Sequence, residues 1–82
     1  MIINEYHNGR FHESWDNLDE CAKAHNTHSF MIKALIYNGT PLPYSAHPLI
    51  TFDIDEESDM EIVFIPNASK RKQYRIVPKD HD

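Results

Sequence analysis

Residues 2–15 have the sequence IINEYHNGRFHESW, in which Asn8-Gly9 separates two runs that contain aromatic and aliphatic residues. Asn-Gly favours the type I′ turn of a two-residue hairpin, because both central residues of that turn need a positive φ. The register that follows has three pairs, Tyr6 with Phe11, Asn4 with Glu13, and Ile2 with Trp15. Directly opposed residues share a face of an antiparallel pair. The sequence therefore predicts a β-hairpin with one apolar face.

Two short helices are expected after the hairpin. Asn17 is a good N-cap, and Glu20 three residues later gives a pattern close to a capping box. The first helix has an apolar stripe at spacings of three and four, formed by Leu18, Cys21, Ala22 and His25. Asn26 tolerates the left-handed conformation that ends a helix. A second helix is expected to begin at residue 28 or 29 and to end where Asn38-Gly39 offers a C-cap.

The second half of the chain is predicted to form a three-stranded antiparallel β meander. Its first strand, residues 49–55, alternates apolar and polar side chains, and its second, residues 61–65, is a nearly continuous apolar run. Residues 73–77 form the third strand. The expected fold class is therefore α+β, with a β-hairpin, a helix-turn-helix-like helix pair and a meander.

A single domain is expected to span residues 1–82, because 82 residues make one small domain. Its predicted divisions are the hairpin and helix pair (1–39), a proline-rich linker (40–48), the meander (49–78) and a frayed tail (79–82). This length excludes a doubly wound dinucleotide-binding fold. The sequence contains no glycine-rich phosphate loop and no nucleophile elbow, so we expect a non-enzymatic protein without a cofactor.

Composition favours a cytoplasmic protein. Cys21 is the only cysteine, so no intramolecular disulfide can form. No apolar run approaches the roughly 20 residues of a membrane span, and no signal peptide is visible. With 40% hydrophobic and 26% charged residues, the chain has the composition of an ordinary globular domain. We therefore expect a soluble, cytoplasmic protein with no membrane partner.

Charge is distributed unevenly along the chain. The sequence has 13 Asp and Glu against 8 Lys and Arg, for a formal charge of −5, which disfavours a polyanion as the default partner. Residues 51–61 hold six acids and no base, whereas residues 62–82 hold five bases and two acids. The acidic segment therefore suits a basic partner, and the basic segment suits an acidic one.

Several residues in the first two thirds of the chain occur in the order typical of a known module. They are Phe11, Trp15, Asn17, Leu18, Glu20-Cys21-Ala22, Asn26, Ile32 and Asn38-Gly39. In this order they resemble the modular helix-turn-helix repeat found beside phage homing endonucleases and in other mobile-element proteins. The resemblance implies a phage-type regulator of transcription that places its second helix in the major groove of DNA.

On this interpretation, the residues of the second helix that contact DNA are Ser29, Phe30, Lys33 and Tyr37. Only Lys33 is basic, although such helices usually carry several Arg, Lys, Asn or Gln side chains. A homodimer would double this weak electrostatic contact. The alternative interpretation makes the helix pair a scaffold, with Phe30, Ile32 and Leu35 in the core.

A predicted hairpin turn carries the strongest positive charge. Its basic residues are Lys70, Arg71, Lys72 and, in the following strand, Arg75. At a hairpin tip they can contact the phosphate backbone of DNA, in the manner of the β-hairpin wing of a DNA-binding domain. Alternatively, they are solvated charges that protect a sheet edge.

An acidic row supports a second functional hypothesis. It comprises Asp53, Asp55, Glu56, Glu57, Asp59 and Glu61. Carboxylates spaced regularly on a β-hairpin can imitate nucleic-acid phosphates. The row therefore predicts an acidic inhibitor or adaptor that binds a basic host protein, and the alternative is a solvated turn.

Cys21, His25 and His28 are candidate zinc ligands, because residues four apart on a helix share a face and Zn²⁺ binds thiolate and imidazole. A fourth ligand is not obvious, although His7, His12 or an acid can fold close. Cysteine is among the most buried residue types. Packing in the core is therefore the favoured interpretation, and no metal site is predicted.

Overall fold

The computed structural model describes residues 1–79, which form two helices and two antiparallel sheets. The elements in chain order are β1 (Ile3–His7), β2 (Arg10–Trp15), α1 (Leu18–Ala24), α2 (Ser29–Asn38), β3 (Ile50–Ile54), β4 (Met60–Phe64), a 3-10 turn (Lys70–Lys72) and β5 (Tyr74–Pro78). The predicted α+β class is confirmed. The predicted frayed tail, apart from Lys79, lies outside the described residues.

The predicted three-stranded meander is wrong. β3 does not pair with β4; it pairs antiparallel with β1, which gives one sheet the order β2-β1-β3 and leaves β4 paired with β5. A two-stranded hairpin is marginally stable on its own, and β3 adds an apolar side chain, Phe52, to the core that contains Ile3. Pairing with β1 places Phe52 in this core, and this burial favours β1 over β4 as the partner of β3.

The first hairpin turn forms as predicted. Asn8 and Gly9 have φ values of 55° and 81°, the positive values that a type I′ turn requires. Asn8 also holds the start of β3, because its backbone N–H donates to the Leu49 carbonyl at 2.8 Å and its Oδ1 accepts from the Leu49 N–H at 3.0 Å. The turn thus joins two parts of the chain that are distant in sequence.

The predicted hairpin register is correct only next to the turn. Tyr6 lies opposite Phe11, but the pairing then shifts by one residue and leaves His12 as an extra residue of β2. The remaining pairs are Glu5 with Glu13, Asn4 with Ser14, and Ile3 with Trp15. A shift of one residue exchanges the two faces of a strand, so Ile3 is fully buried while Ile2 is 43% exposed. The other two predicted pairs, and the apolar face built on them, are therefore wrong.

The helix ends follow the predicted capping residues. Asn17 Oδ1 accepts from the Glu20 N–H at 2.8 Å, which satisfies one of the free donors at the start of α1. Asn26 adopts the left-handed conformation after α1, with φ of 54°, and Gly39 does so after α2, with φ of 66°. These local signals mark both ends of α1 and the C-terminal end of α2.

The hydrophobic core is built from β1, β3 and the two helices. Its buried residues are Ile3, Leu18, Cys21, Ala22, Ile32, Leu35 and Phe52. Half-buried side chains that include Ile76 of β5 pack against it, so the second sheet covers one side of α2. Within residues 1–79, no helix combines the length and apolar character needed to cross a membrane.

Candidate functional sites: a basic groove and a buried carboxylate

A groove with four cationic side chains lies between α2 and the β4–β5 hairpin. Its lining residues are Lys33, Arg71, Lys72, Tyr74, Arg75 and Ile76. None of them is acidic, although the whole chain has a formal charge of −5. This basic groove therefore concentrates positive charge on a protein that is negative overall.

The β4–β5 hairpin brings the basic turn to α2. The two strands pair from Met60 opposite Pro78 to Phe64 opposite Tyr74, so the turn at Lys70–Lys72 closes the hairpin at its Tyr74 end. Both strands pack against α2, and Asn38 Nδ2 donates to the Tyr74 hydroxyl at 3.3 Å. These contacts place Lys33 of α2 beside basic side chains that are distant from it in sequence.

A second groove adjoins the first at Arg71, which lines both. Its other lining residues are Asp19, Ala22, Lys23, Asn26, Thr27, His28, Ser29 and Phe30, from α1, the α1–α2 turn and the start of α2. His28, the N-cap of α2, makes no side-chain bond to the helix, and the first turn of α2 contains no acid. The positive end of the α2 dipole is therefore not neutralised by the helix's own side chains.

Six of the eight residues predicted to bind nucleic acid line these two grooves. They are Ser29, Phe30, Lys33, Arg71, Lys72 and Arg75. Lys70 is exposed on the same 3-10 turn but lines neither groove. Tyr37 lies in an aromatic cluster, with ring centroids 5.6 Å from Tyr74 and 6.1 Å from Phe64. The sequence thus identified most of the residues that meet here, but not the groove itself.

α2 is embedded in the fold and does not protrude from it. α1, β3, β4 and β5 all pack against α2. Ile32 and Leu35 are buried in the core as the scaffold interpretation predicted, but Phe30 is only half-buried and lines the second groove, so its predicted core position is wrong. Every residue from Ser29 to Ile36 is buried or half-buried. Within the grooves, a ligand can reach only the first turn of α2 and Lys33.

The acidic residues do not form a row on a hairpin, because β3 and β4 are in different sheets. Four of them line a groove with Asn4 and Tyr6, namely Asp53, Asp55, Glu56 and Glu57. The Tyr6 hydroxyl donates to Asp53 Oδ1 at 3.3 Å, and Asn4 Nδ2 lies 3.5 Å from Asp55 Oδ2. The predicted hairpin that would carry the acidic row is therefore wrong, and two of the carboxylates are held by β1 side chains.

Glu5 is buried, with 2% of its surface exposed, and three donors surround it. Its Oε1 accepts from Trp15 Nε1 at 3.0 Å and from His25 Nε2 at 2.6 Å, and its Oε2 lies 2.5 Å from His7 Nε2. Burial by itself raises the pKa of Glu5, but the hydrogen bonds from His25, His7 and Trp15 outweigh burial and hold that pKa below its usual value. Glu5 is therefore an ionised carboxylate at neutral pH.

His12 lies beside His7 on the solvent side of Glu5. The two imidazole rings stack, with centroids 3.7 Å apart and an interplanar angle of 10°. One potential ligand atom from each of Glu5, His7 and His12 lies within 4.8 Å of the other two. These three residues have the chemistry of a metal-binding group.

The zinc candidates identified in the sequence do not form such a group within residues 1–79. Cys21 is fully buried, and burial together with the negative charges of Glu5 and Glu13 raises the pKa of its thiol to about 12. His25 is held by Glu5, and His28 is exposed at the N-cap of α2. Cys21 is a core residue, as the packing interpretation predicted.

Sequence reasoning missed Glu5, although one signal for it is present. Ile3, Glu5 and His7 alternate along β1, so a register that buries Ile3 also turns the other two toward the interior. A buried carboxylate needs donors to stabilise its charge. Histidines at positions 7 and 25 and the indole of Trp15 supply them, and only the folded chain brings these groups together.

No protein-family model, curated protein or solved structure matches this chain. The resemblance to the phage helix-turn-helix repeat therefore stays a prediction.

Proposed function

We propose that this protein is a non-enzymatic binding protein of phage or mobile-element type that binds duplex DNA through the basic groove. The observation that carries the proposal is the convergence of Lys33, Arg71, Lys72 and Arg75 on one groove with no acidic lining residue. Lys and Arg that neutralise DNA phosphates release counterions, and this release supplies most of the affinity of sequence-independent binding. The proposal makes this local cation cluster, and not the net charge of −5, the determinant of DNA binding.

The second groove supports the same proposal. Backbone N–H groups at the start of a helix favour an anion, and those of α2 lie beside a groove that Arg71 also lines. In this proposal one phosphate lies in the second groove beside Ser29 and Arg71, away from the acidic lining residue Asp19. Neighbouring phosphates of the same strand then lie along the basic groove, near its other three cationic side chains.

The burial of α2 favours phosphates over base edges as the main target. A reading helix inserts several side chains into the major groove, whereas α2 presents only its first turn and Lys33 to the two grooves. We therefore expect binding that depends strongly on salt and weakly on DNA sequence.

The experiment is a titration of the full chain against a random-sequence DNA duplex over a range of salt concentrations. Four phosphate contacts predict a slope of about −3.6 for log K against log salt. A variant with Arg71, Lys72 and Arg75 all changed to Ala should have a slope near −0.9, because only Lys33 remains. Arg10→Ala, at an exposed arginine that lines neither groove, is the control for loss of one positive charge elsewhere and should keep the wild-type slope. Equal affinity of the triple variant and the wild type would exclude this groove as the DNA site.

A second candidate function is binding of a basic host protein at the acidic groove of Asp53, Asp55, Glu56 and Glu57. The clustering of these carboxylates in one groove favours it. Its test is a pull-down in which Glu56 and Glu57, both exposed, are changed to Lys. This function would be favoured over DNA binding if the Glu56/Glu57→Lys variant no longer captured a basic protein while the Arg71/Lys72/Arg75→Ala variant still captured it.

A further inference from the structure

We infer that Glu5, His7 and His12 form a binding site for a divalent transition-metal ion, and that Zn²⁺ is the ion they suit best. None of the three lines the basic groove, so this inference and the DNA-binding proposal can fail separately.

The donor set has two imidazoles and one carboxylate. Zn²⁺ binds these groups in four-coordinate sites, and three protein ligands leave a fourth position for water or another ligand. Mg²⁺ and Ca²⁺ prefer sites made of oxygen atoms. The mixture of nitrogen and oxygen donors therefore selects a transition metal.

Zinc binding requires the stacked imidazoles of His7 and His12 to rotate until one nitrogen of each points at the ion. Donor atoms around tetrahedral zinc lie about 3.3 Å apart, whereas here they lie within 4.8 Å of one another, with Glu5 Oε2 2.5 Å from His7 Nε2. The side chains of His7 and His12 are 25% and 49% exposed, so both can rotate and an ion can enter from solvent. The metal would replace the hydrogen bond between Glu5 and His7.

The two oxygens of Glu5 have different surroundings. Oε1 accepts from Trp15 and His25, whereas among residues 1–79 the one hydrogen-bond partner of Oε2 is His7. Hydrogen bonds of this kind orient a ligating carboxylate and are typical of the residues behind a metal ligand. Oε2 is therefore the oxygen that faces the ion, and its orientation is set before the ion binds.

The register shift in the hairpin places His12 at the site. β2 has one residue more than β1 between the pairs Tyr6–Phe11 and Glu5–Glu13, and that residue is His12. Such bulges redirect a side chain. Here the redirected imidazole stacks on His7, beside the carboxylate.

The test is a calorimetric titration of chelator-treated full chain with ZnCl₂, with thermal unfolding followed in parallel. We expect saturable 1:1 binding and a rise in Tm of at least about 10 °C at a hundredfold excess of Zn²⁺ over Kd. Loss of a residue that only supports a ligand costs about 10–100-fold in metal affinity. His12→Ala, which removes a ligand, should therefore weaken binding by about 100-fold or more.

His28→Ala is the matched control, because His28 is an exposed imidazole outside the cluster. The inference predicts wild-type affinity for this variant, and it predicts that Zn²⁺ shifts the imidazole NMR signals of His7 and His12 but not those of His28 and His47. His12 is half exposed, so its variant keeps the core intact. Absence of saturable binding to the wild type, or equal binding to wild type and His12→Ala, would overturn the inference.

Discussion

His25 Nε2 lies 2.6 Å from Oε1 of Glu5, and this hydrogen bond joins the C-cap of α1 to the middle of β1. Because Glu5 is in the central strand of the three-stranded sheet, the bond links the sheet to the first helix. A buried carboxylate that lost its donors would be strongly destabilising. The hydrogen bond between His25 and Glu5 therefore stabilises the contact between α1 and β1.

Replacing this carboxylate should destabilise the metal-free protein. We expect Glu5→Gln to lower the free energy of unfolding at pH 7 by about 2 kcal/mol, since an amide cannot accept from all three donors. Urea unfolding in the presence of a chelator measures the change. Glu13→Gln is the matched control, because Glu13 lies opposite Glu5 but is exposed. Equal losses in the two variants would contradict the importance of the buried network.

The same residue predicts an acid dependence of stability. The pKa of Glu5 in the folded protein lies below its ordinary value of 4.5. The contribution of the Glu5 carboxylate to the free energy of unfolding is therefore complete above pH 4.5, and it is lost as the pH falls through the folded-state pKa. In chelator, the stability difference between wild type and Glu5→Gln should shrink as the pH falls below 4.5. A difference that does not depend on pH would mean that the charge of Glu5 is not its cause.

The hairpin register predicts that two neighbouring isoleucines contribute very differently. Ile3 is fully buried, whereas Ile2 is 43% exposed. Ile3→Ala should cost about 3 kcal/mol in the free energy of unfolding, because it removes buried methyl groups and leaves a cavity. Ile2→Ala should cost less than about 1 kcal/mol. Denaturant unfolding of both variants checks the shift, and a larger loss for Ile2→Ala would favour the register that the turn alone predicts.

The Cys21 thiol should be unreactive in the folded protein. Its pKa is raised to about 12 by burial and by nearby carboxylates, so it carries no charge at pH 8, and only the thiolate reacts rapidly. A disulfide reagent should modify it at pH 8 only after denaturation, whereas a Ser14→Cys variant, with its thiol on the exposed strand β2, should react at once. Because the thiol ionises more easily when unfolded, stability should also fall as the pH rises above the ordinary value of 9.0. Rapid modification of native Cys21 would show that it is accessible.

Two adjacent cations on the 3-10 turn test the position of the DNA site. Arg71 lines both grooves, whereas Lys70 lines neither. Arg71→Ala should reduce the salt slope of duplex binding by about 0.9, and Lys70→Ala should change it little. The two variants have the same net charge, so a difference between them reports position. Equal effects would indicate a diffuse attraction without a defined site.

Local structure was predictable from short segments of sequence. The Asn8-Gly9 turn, the Asn17 N-cap and the left-handed Asn26 and Gly39 all occur where expected. Each depends on a backbone φ preference or on a hydrogen bond between residues close in sequence. Such features need no information about the rest of the chain.

Part of the candidate site was also predictable. Basic residues in the 3-10 turn and in α2 were identifiable because clustered positive charge is visible in the sequence. Their arrangement around one groove was not, since it depends on how the β4–β5 hairpin packs against α2. The grouping of Glu5 with His7 and His12 was not predictable either, although both histidines were considered as further zinc ligands. It exists only because the hairpin register shifts at His12.

The sequence by itself determined the class of the fold, the turns and helix ends, and the separation of acidic and basic segments. Only the tertiary structure decided that β3 pairs with β1, that Ile3 and not Ile2 enters the core, and that Glu5 is buried. The physical reason is that strand pairing and register have nearly equal local alternatives. The choice among them depends on which arrangement fills a shared core and satisfies the polar groups buried with it.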